Sequence, residues 1–365
     1  MQELRDNRLK ILIITSILVM GGLIFILSAG SMQAIFLGRQ ELYFFQKQMV
    51  SVIVGFFALY TAYKIPLSVW RRYVPAFYFL TLVMLMTVFF YRPINGAHRW
   101  MLLPGFSFQP SELAKFTLVL YLSHYLVKKG ERVKEFSTGF LPASLMLGLV
   151  GALILTEPDY GTTFLLIAVL FAMFMIGGAS AKHMFGIILF IAPILAAGLM
   201  MGYRKARILS FLDPWADQYK TGYQLIQSLA AVGSGEVIGK GIGNSSQKLH
   251  FLPEAHTDFI FAIISEETGF LGAVFFIALF ALLFYICTEV ARMHTDKFKR
   301  LFTFGISFVL IIQAVLHIGV VTGALPTKGI GLPFVSYGGS SMIMSLFMVG
   351  VLIRSAEEAQ EDANV

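Results

Sequence analysis

The sequence predicts an all-α polytopic membrane protein, and three observations carry that prediction. Apolar residues make up 57% of the 365 and charged residues only 13%, about half the share usual for a soluble domain. Mean hydropathy is +0.76. The apolar residues are gathered into runs that approach the roughly 20 residues a spanning helix needs. This composition excludes a disordered chain, a coiled coil and a disulfide scaffold. The single cysteine, Cys287, permits neither an internal disulfide nor a cysteine-based metal cluster. The net charge of +7 reads as topology signals in membrane loops, with no nucleic-acid partner implied.

Ten apolar runs can be read in order, over 11–29, 49–63, 73–91, 113–127, 140–155, 162–176, 184–201, 268–290, 301–321 and 341–354. The first lacks a small-residue cleavage site and so is not a cleavable signal peptide. With the N-terminus inside, sixteen Lys and Arg fall in inside segments, against five in the short outer loops: Arg39, Lys47, Arg92, Arg99 and Lys328. That bias supports the span count and places both termini in the cytoplasm. Residues 1–365 then form a single membrane domain, ending in a short acidic cytoplasmic tail at 355–365.

Two outer stretches differ from simple connectors. Residues 202–257 form a long outer loop between spans 7 and 8, too long for a plain connection. Its Tyr203, Trp215, Tyr219 and Tyr223 and the apolar stretch 225–232 predict short interfacial helices. Residues 323–339 hold five Gly and two Pro and cannot make a regular helix. At membrane depth such backbone is tolerated only against protein or a water-filled cavity.

Ionisable groups in or beside spans are costly and usually functional. Four outer groups stand out. In Gln109-Pro110-Ser111-Glu112-Leu113-Ala114-Lys115, proline and serine suit a helix start, and Glu112 suits its positive end. Lys115 follows Glu112 by three residues and shares its face, so an intrahelical pair is the plain reading. The apolar neighbours of Lys115 make a partner on another element at least as good. Glu157-Pro158-Asp159-Tyr160-Gly161 reads first as turn chemistry. In 252–260, Thr257 or Asp258 could cap a helix beginning at Phe259. However, Ala262, Ser265, Glu266 and Gly269 follow Asp258 at helical spacing. This small, polar stripe predicts a cavity with Asp258 at its mouth. Lys328 is the only cation of the glycine-rich stretch. It reads equally as a solvated loop lysine and as an anion site that glycine backbone can approach.

Other patterns fail. Residues 235–243 are glycine-rich, but they lack the Walker spacing and no strand precedes them. The histidines show no metal spacing. From the residues alone, Glu112, Asp258 and Glu266 with Lys115, Lys328 and Arg99 could converge on an anionic, amphiphilic substrate. One carboxylate would serve as a general base, with cations holding phosphate. Chemistry and transport both remain open here, and buried charges by themselves favour transport.

Longer motifs go further. GYQLIQS at 222–228, GSG at 233–235, LPEAHTDFIFA at 252–262, LPTKG at 325–329 and LPFVSYGGSS at 332–341 resemble the SEDS family of bacterial shape, elongation, division and sporulation proteins. RILSFLDPW at 207–215 and GFSFQPSELAK at 105–115 add to the likeness, which spans the chain. Gln224, Leu225, the run Gln247-Lys248-Leu249 and Ala255 are most similar to the cell-division member; Glu236 departs from the family's glycine run.

The resemblance implies a peptidoglycan glycosyltransferase that polymerises lipid II on the outer face of the bacterial cytoplasmic membrane at the division septum. It implies a class B penicillin-binding protein and other divisome membrane proteins as partners. It also implies a divalent cation, Mg²⁺ or Mn²⁺, for which the sequence shows no ligand set. The family's essential aspartate matches Asp258, and its lysines match Lys115 and Lys328. Glu112, Arg99, Glu266, His256 and Ser336 are expected as supporting or pyrophosphate-binding residues. Lys115 would either neutralise pyrophosphate or pair with Asp258. A lipid II flippase, a rod-elongation role and a pure scaffold remain the alternatives.

Overall fold

The computed structural model describes residues 2–94, 96–103, 105–199, 203–249 and 251–363. The end of the seventh predicted run, the first residue of the long loop and the last two tail residues lie outside them. A helix occupies each predicted run. In chain order the helices are α1 (Gln2–Phe36), α2 (Tyr43–Lys64), α3 (Leu67–Arg72), α4 (Val74–Thr87), α5 (Pro110–Lys129), α6 (Leu141–Thr156), α7 (Tyr160–Ile176) and α8 (Ala181–Leu199). They continue as α9 (Tyr203–Leu212), α10 (Tyr223–Ser234), α11 (Ile260–Met293), α12 (Lys297–Val321) and α13 (Gly339–Ala363). By length and composition α1, α2, α6 with the turn before it, α11, α12 and α13 can cross a membrane, while α4, α7 and α8 are shorter apolar helices. α5 belongs to neither group, since it carries Glu112, Lys115, Lys128 and Lys129.

The long outer loop folds as α9, a 3₁₀ turn and α10, as its aromatic and apolar content leads one to expect. α10 docks by burying Leu225, Ser228 and Ala231, and the Ser228 hydroxyl donates to Val321 O at 2.7 Å. A short antiparallel hairpin precedes α5: β1 (Met101–Leu103) pairs with β2 (Phe106–Phe108). Ser340 fastens it to the start of α13, donating to Ser107 O at 2.8 Å and accepting from Gln109 N at 3.1 Å.

α2 and α13 pack most extensively. A Cβ on Gly350 would lie 2.2 Å from Leu59 O, so the small residue is what lets these backbones approach. At its C-terminal end, α13 takes in most of the acidic segment. Residues 355–363 form the last turns of that helix. Glu357 accepts from Arg8 at 2.6 Å and Tyr63 at 3.1 Å. Glu358 accepts from Leu67 N at 2.9 Å, and Asp362 pairs with Lys299 at 3.0 Å. The acidic residues thus neutralise basic groups of α1 and α12 that gather at this end of the bundle.

α11 is broken at Gly269, where φ is +68° and ψ −166°. The backbone bonds that the helix forfeits there are replaced by the glycine-rich loop: Lys240 N and Gly241 N donate to Glu266 O and Glu267 O, each at 3.0 Å, and Phe270 N donates to Glu236 O at 2.9 Å. Only glycine tolerates this conformation, and a Cβ would lie 2.3 Å from Gly239 N. Gly269→Ala is therefore expected to lower stability by about 2 kcal/mol or more, read as a lower thermal midpoint with faster proteolysis in 235–248.

Candidate active site

Asp258 lies in the turn that leads into α11. The helix begins at Ile260 with Phe259 at its N-cap and no side-chain cap. Neither Thr257 nor Asp258 caps it, contrary to the plain reading; the Thr257 hydroxyl donates instead to the Glu254 carboxylate at 2.8 Å. Asp258 is left half-buried, with its carboxyl against the backbone of the loop joining α12 to α13. A Cβ built on Gly329 would stand 3.1 Å from Asp258 Oδ2. Burial pushes the Asp258 carboxyl up to about 7, the Glu254 and Asp159 charges adding to burial and Arg207 and Arg99 opposing it. The cations whose charge reaches this acid are thus two arginines, and Arg207 comes from α9.

The turn is held in place by hydrogen bonds to the α12–α13 loop. Ser336 Oγ donates to Thr257 O and accepts from Leu332 N, both at 2.7 Å. Tyr337 N donates to His256 O at 3.0 Å. The His256 ring sits beside Phe44 at 4.4 Å and Tyr337 at 5.5 Å; burial holds its pKa below the usual imidazole range. Gln48, fully buried in α2, donates to Ser336 O at 3.3 Å and accepts from Gly338 N at 3.1 Å. His256 and Ser336 therefore position the acid.

The lysines take different roles. Lys115 is 2% exposed. Its ammonium pairs with Glu112 at 2.7 Å and donates to Gln313 Oε1 of α12 at 2.7 Å. Gln313 Nε2 then donates to Gly331 O at 2.9 Å, and His317 Nδ1 contacts Ile330 O at 2.8 Å. Lys115 thus has the partner on its own helix that the spacing predicts, and a second on a neighbouring helix that is Gln313 and not Asp258; the pair braces the strand of chain 328–331. Lys328 projects from that strand. Its ammonium lies 4.4 Å above the Phe164 ring of α7, and burial lowers its pKa.

The family model described as cell cycle protein, FtsW/RodA/SpoVE, matches residues 8–361. The chain belongs to this family. It is 40% identical over 357 residues to a Geobacter metallireducens protein named "Probable peptidoglycan glycosyltransferase FtsW", covering 97% of this chain and 95% of that one. A Pseudomonas fluorescens protein of the same name is 38% identical, over 93% of this chain and 85% of that one. Among solved structures, a chain from a study of polymerization and crosslinking by a peptidoglycan synthase complex superposes with a TM-score of 0.80. That pair is 26% identical over 96% of this chain and 97% of the other. The Thermus thermophilus rod shape determining protein RodA shares the fold, with a TM-score of 0.71 at 24% identity over 95% of this chain and 96% of the other.

Within this family member the remaining expected residues divide. Arg99 clasps the turn before α7, donating to Glu157 O at 3.0 Å and Pro158 O at 2.5 Å. Asp159 caps α7 through Thr162 N at 3.1 Å, as turn chemistry predicts, and also accepts from Gln109 at 3.3 Å. Glu157 beside it is fully buried, and burial together with Asp159 pushes its carboxyl up to about 8.

Glu266 does not share the site of Asp258. It is fully buried and accepts from Lys240 at 2.6 Å, Ser245 Oγ at 2.5 Å and Ser246 N at 3.0 Å. Glu267 next to it accepts from Ser28 at 2.6 Å and Gly243 N at 2.9 Å. The small, polar stripe faces the glycine-rich loop, not a cavity: a Cβ on Gly235 would meet Ser265 O at 2.0 Å. Small residues admit backbone as readily as water.

Gln48, Phe164, Arg207, Gln313, His317 and Glu267 were not singled out from sequence. The available signal was a polar side chain inside an apolar run for Gln48, Gln313 and His317. Among the described residues, no three His, Cys, Asp or Glu converge on one point. A cleft of about 530 Å³, lined by Lys47, Ser51, Ser107, Tyr337 and the apolar Val50 and Phe106, opens between α2, the hairpin and the start of α13.

Gly329 leaves the face of the Asp258 carboxyl open. Gly329→Ala is expected to keep the fold but reduce turnover about 10²-fold, the scale of a displacement of about 1 Å in a reacting group. Comparing kcat with the thermal midpoint checks this.

Proposed function

We propose that this chain polymerises lipid II into β-1,4-linked glycan on the outer face of the bacterial cytoplasmic membrane, as the division-type peptidoglycan glycosyltransferase. The observation that carries the reading is Asp258: a carboxyl not used as a cap, raised to about 7, and bordered by glycine backbone. A general base works best with a pKa near the operating pH.

In this mechanism Asp258 takes the proton from the 4-hydroxyl of the acceptor's terminal N-acetylglucosamine. The freed oxygen attacks C1 of the donor's N-acetylmuramic acid. The bond from C1 to the pyrophosphate breaks, and undecaprenyl pyrophosphate leaves with the electron pair. One displacement converts the α-linked donor to a β bond, so one base is sufficient. The leaving group needs charge neutralisation more than a proton, and Lys328 with Arg207 and Arg99 supplies positive charge on that side. Lys115, committed to Glu112 and Gln313, supports the strand that bears Lys328. The half-apolar cleft beside Tyr337 suits an amphiphile whose tail stays in the bilayer. The names of the relatives favour division over rod elongation. The solved polymerising and crosslinking complex supports a class B penicillin-binding protein as partner. Septal placement and cytoplasmic termini belong to the same proposal.

The test is glycan synthesis by purified chain from lipid II, with and without a class B penicillin-binding protein. Polymer is the expected result. Head-group translocation in vesicles with no polymer would instead establish a flippase, and cell division sustained with Asp258, Lys115 and Lys328 all replaced would leave only a scaffold.

A further inference from the structure

Lys328 is unusual among the outer cations in what it touches. Its ammonium rests on the face of Phe164, 4.4 Å from the ring centroid. No carboxylate among the described residues lies within ion-pair distance of it. The charged groups around it are committed elsewhere. On the neighbouring residue, Asp258 faces Gly329. On α7, Asp159 caps the helix with Thr162. Arg99 holds the turn carrying Glu157, and His317 of α12 contacts Ile330 O. The strand is fixed on the other side as well: Ile330 packs on Gly161, one turn before Phe164, and Gly331 O is held by Gln313.

We propose that Phe164 is a positioning residue for the glycosyl transfer: its ring face keeps the partly desolvated Lys328 ammonium charged and uncommitted, ready for the pyrophosphate of a lipid-linked donor. A carboxylate in that place would neutralise the lysine and compete with the phosphate. Water alone would need to be stripped before the phosphate arrived. An aromatic face does neither, since the attraction is to the ring quadrupole and is readily exceeded by a phosphate. Phe164 is 43% exposed on α7, so the ring and the ammonium meet at the rim of the bundle, within reach of a ligand. The inference rests on the reading of Asp258 and Lys328 given above. Burial lowers the Lys328 pKa; loss of the ring face lowers it further, and the alkaline limb of activity moves to lower pH.

The experiment replaces Phe164 by phenylalanines carrying one, two and three ring fluorines, which drain the face of the ring at nearly constant size. Polymer synthesis from lipid II is followed against pH, with the penicillin-binding partner present. The expected result is a stepwise acid shift of the alkaline limb of kcat/KM, totalling roughly half to one pH unit, with the thermal midpoint unchanged. Phe164→Trp keeps the limb at the parent's position, Phe164→Leu moves it to lower pH at least as far as the most fluorinated ring, and in a Lys328→Arg background the fluorine series is flat. A flat series in the parent background, or an equal shift in the Lys328→Arg background, overturns the role of Phe164. Lys328→Met as active as the parent overturns instead the reading of the site on which the proposal rests.

Discussion

Asp258→Asn is expected to abolish polymer synthesis, by about 10²–10⁴-fold in kcat/KM, the range of general-base assistance, with the folded protein unharmed. Asn fills the same space against Gly329 but cannot accept the hydroxyl proton. In the parent, burial and the Glu254 charge push the carboxyl up to about 7. The protonated form below that pH is inactive, so kcat/KM rises with pH through about 7 and levels above it. The residual rate of the Asn variant lacks this limb. The same shift has a stability consequence of opposite sense. The folded pKa lies above the ordinary 3.8, so the contribution of this group to stability is fully present below the unfolded value. It is lost as pH rises through about 7. At pH 8 the folded chain carries a poorly solvated carboxylate that the Asn variant lacks. The variant's thermal midpoint at pH 8 should therefore equal or exceed the parent's, and the difference should shrink towards pH 4. A lower midpoint at pH 8 would show that the carboxylate is a structural group, and the catalytic assignment would fail with it. Polymer yield, the pH profile and a melt at two pH values decide the matter together.

How far the site could be read in advance differs from residue to residue. The helices were legible because apolar runs leave little choice in lipid. The hairpin at 101–108 was not, because strands of three residues carry no period. Asp258 was singled out partly for a reason that the structure overturns. The stripe from Ala262 to Gly269 marks the docking of the glycine-rich loop, and periodicity cannot distinguish water from backbone on a small-residue face. The acidic run after Arg354 looked like a tail because its partners, Arg8, Tyr63 and Lys299, are remote in sequence. Gln48 and Gln313 were visible as amides in apolar runs, but what they hold, Ser336 O and Gly331 O, is set only by how α2 and α12 approach the last outer loop. Local chemistry was readable, and pairing between distant elements was not.

Lys115→Met is expected to cost more stability than any other single change at the site, about 3–5 kcal/mol, and to remove activity through the fold. The reason is not the loss of an attraction alone. Lys115 and Glu112 are 2% and 7% exposed, so removing the ammonium strands a carboxylate in apolar surroundings and frees the Gln313 Oε1 it satisfied. Gln313 is then no longer oriented to donate to Gly331 O, and the strand bearing Lys328 and Gly329 loosens beside Asp258. Glu112→Gln in the same background removes the stranded charge, so the double variant should recover most of the thermal midpoint. Activity should recover less, because the orientation of Gln313 is still lost. Gln313→Leu supplies the complement: with both charges of the pair retained, it should lower kcat more than it lowers the midpoint. If Lys115→Met melts like the parent yet loses activity, the ammonium must act on substrate directly. If the double variant melts no better than the single one, the pair is not the source of the loss. The two outcomes separate a brace from a ligand, and the burial of both partners places the expectation on the brace.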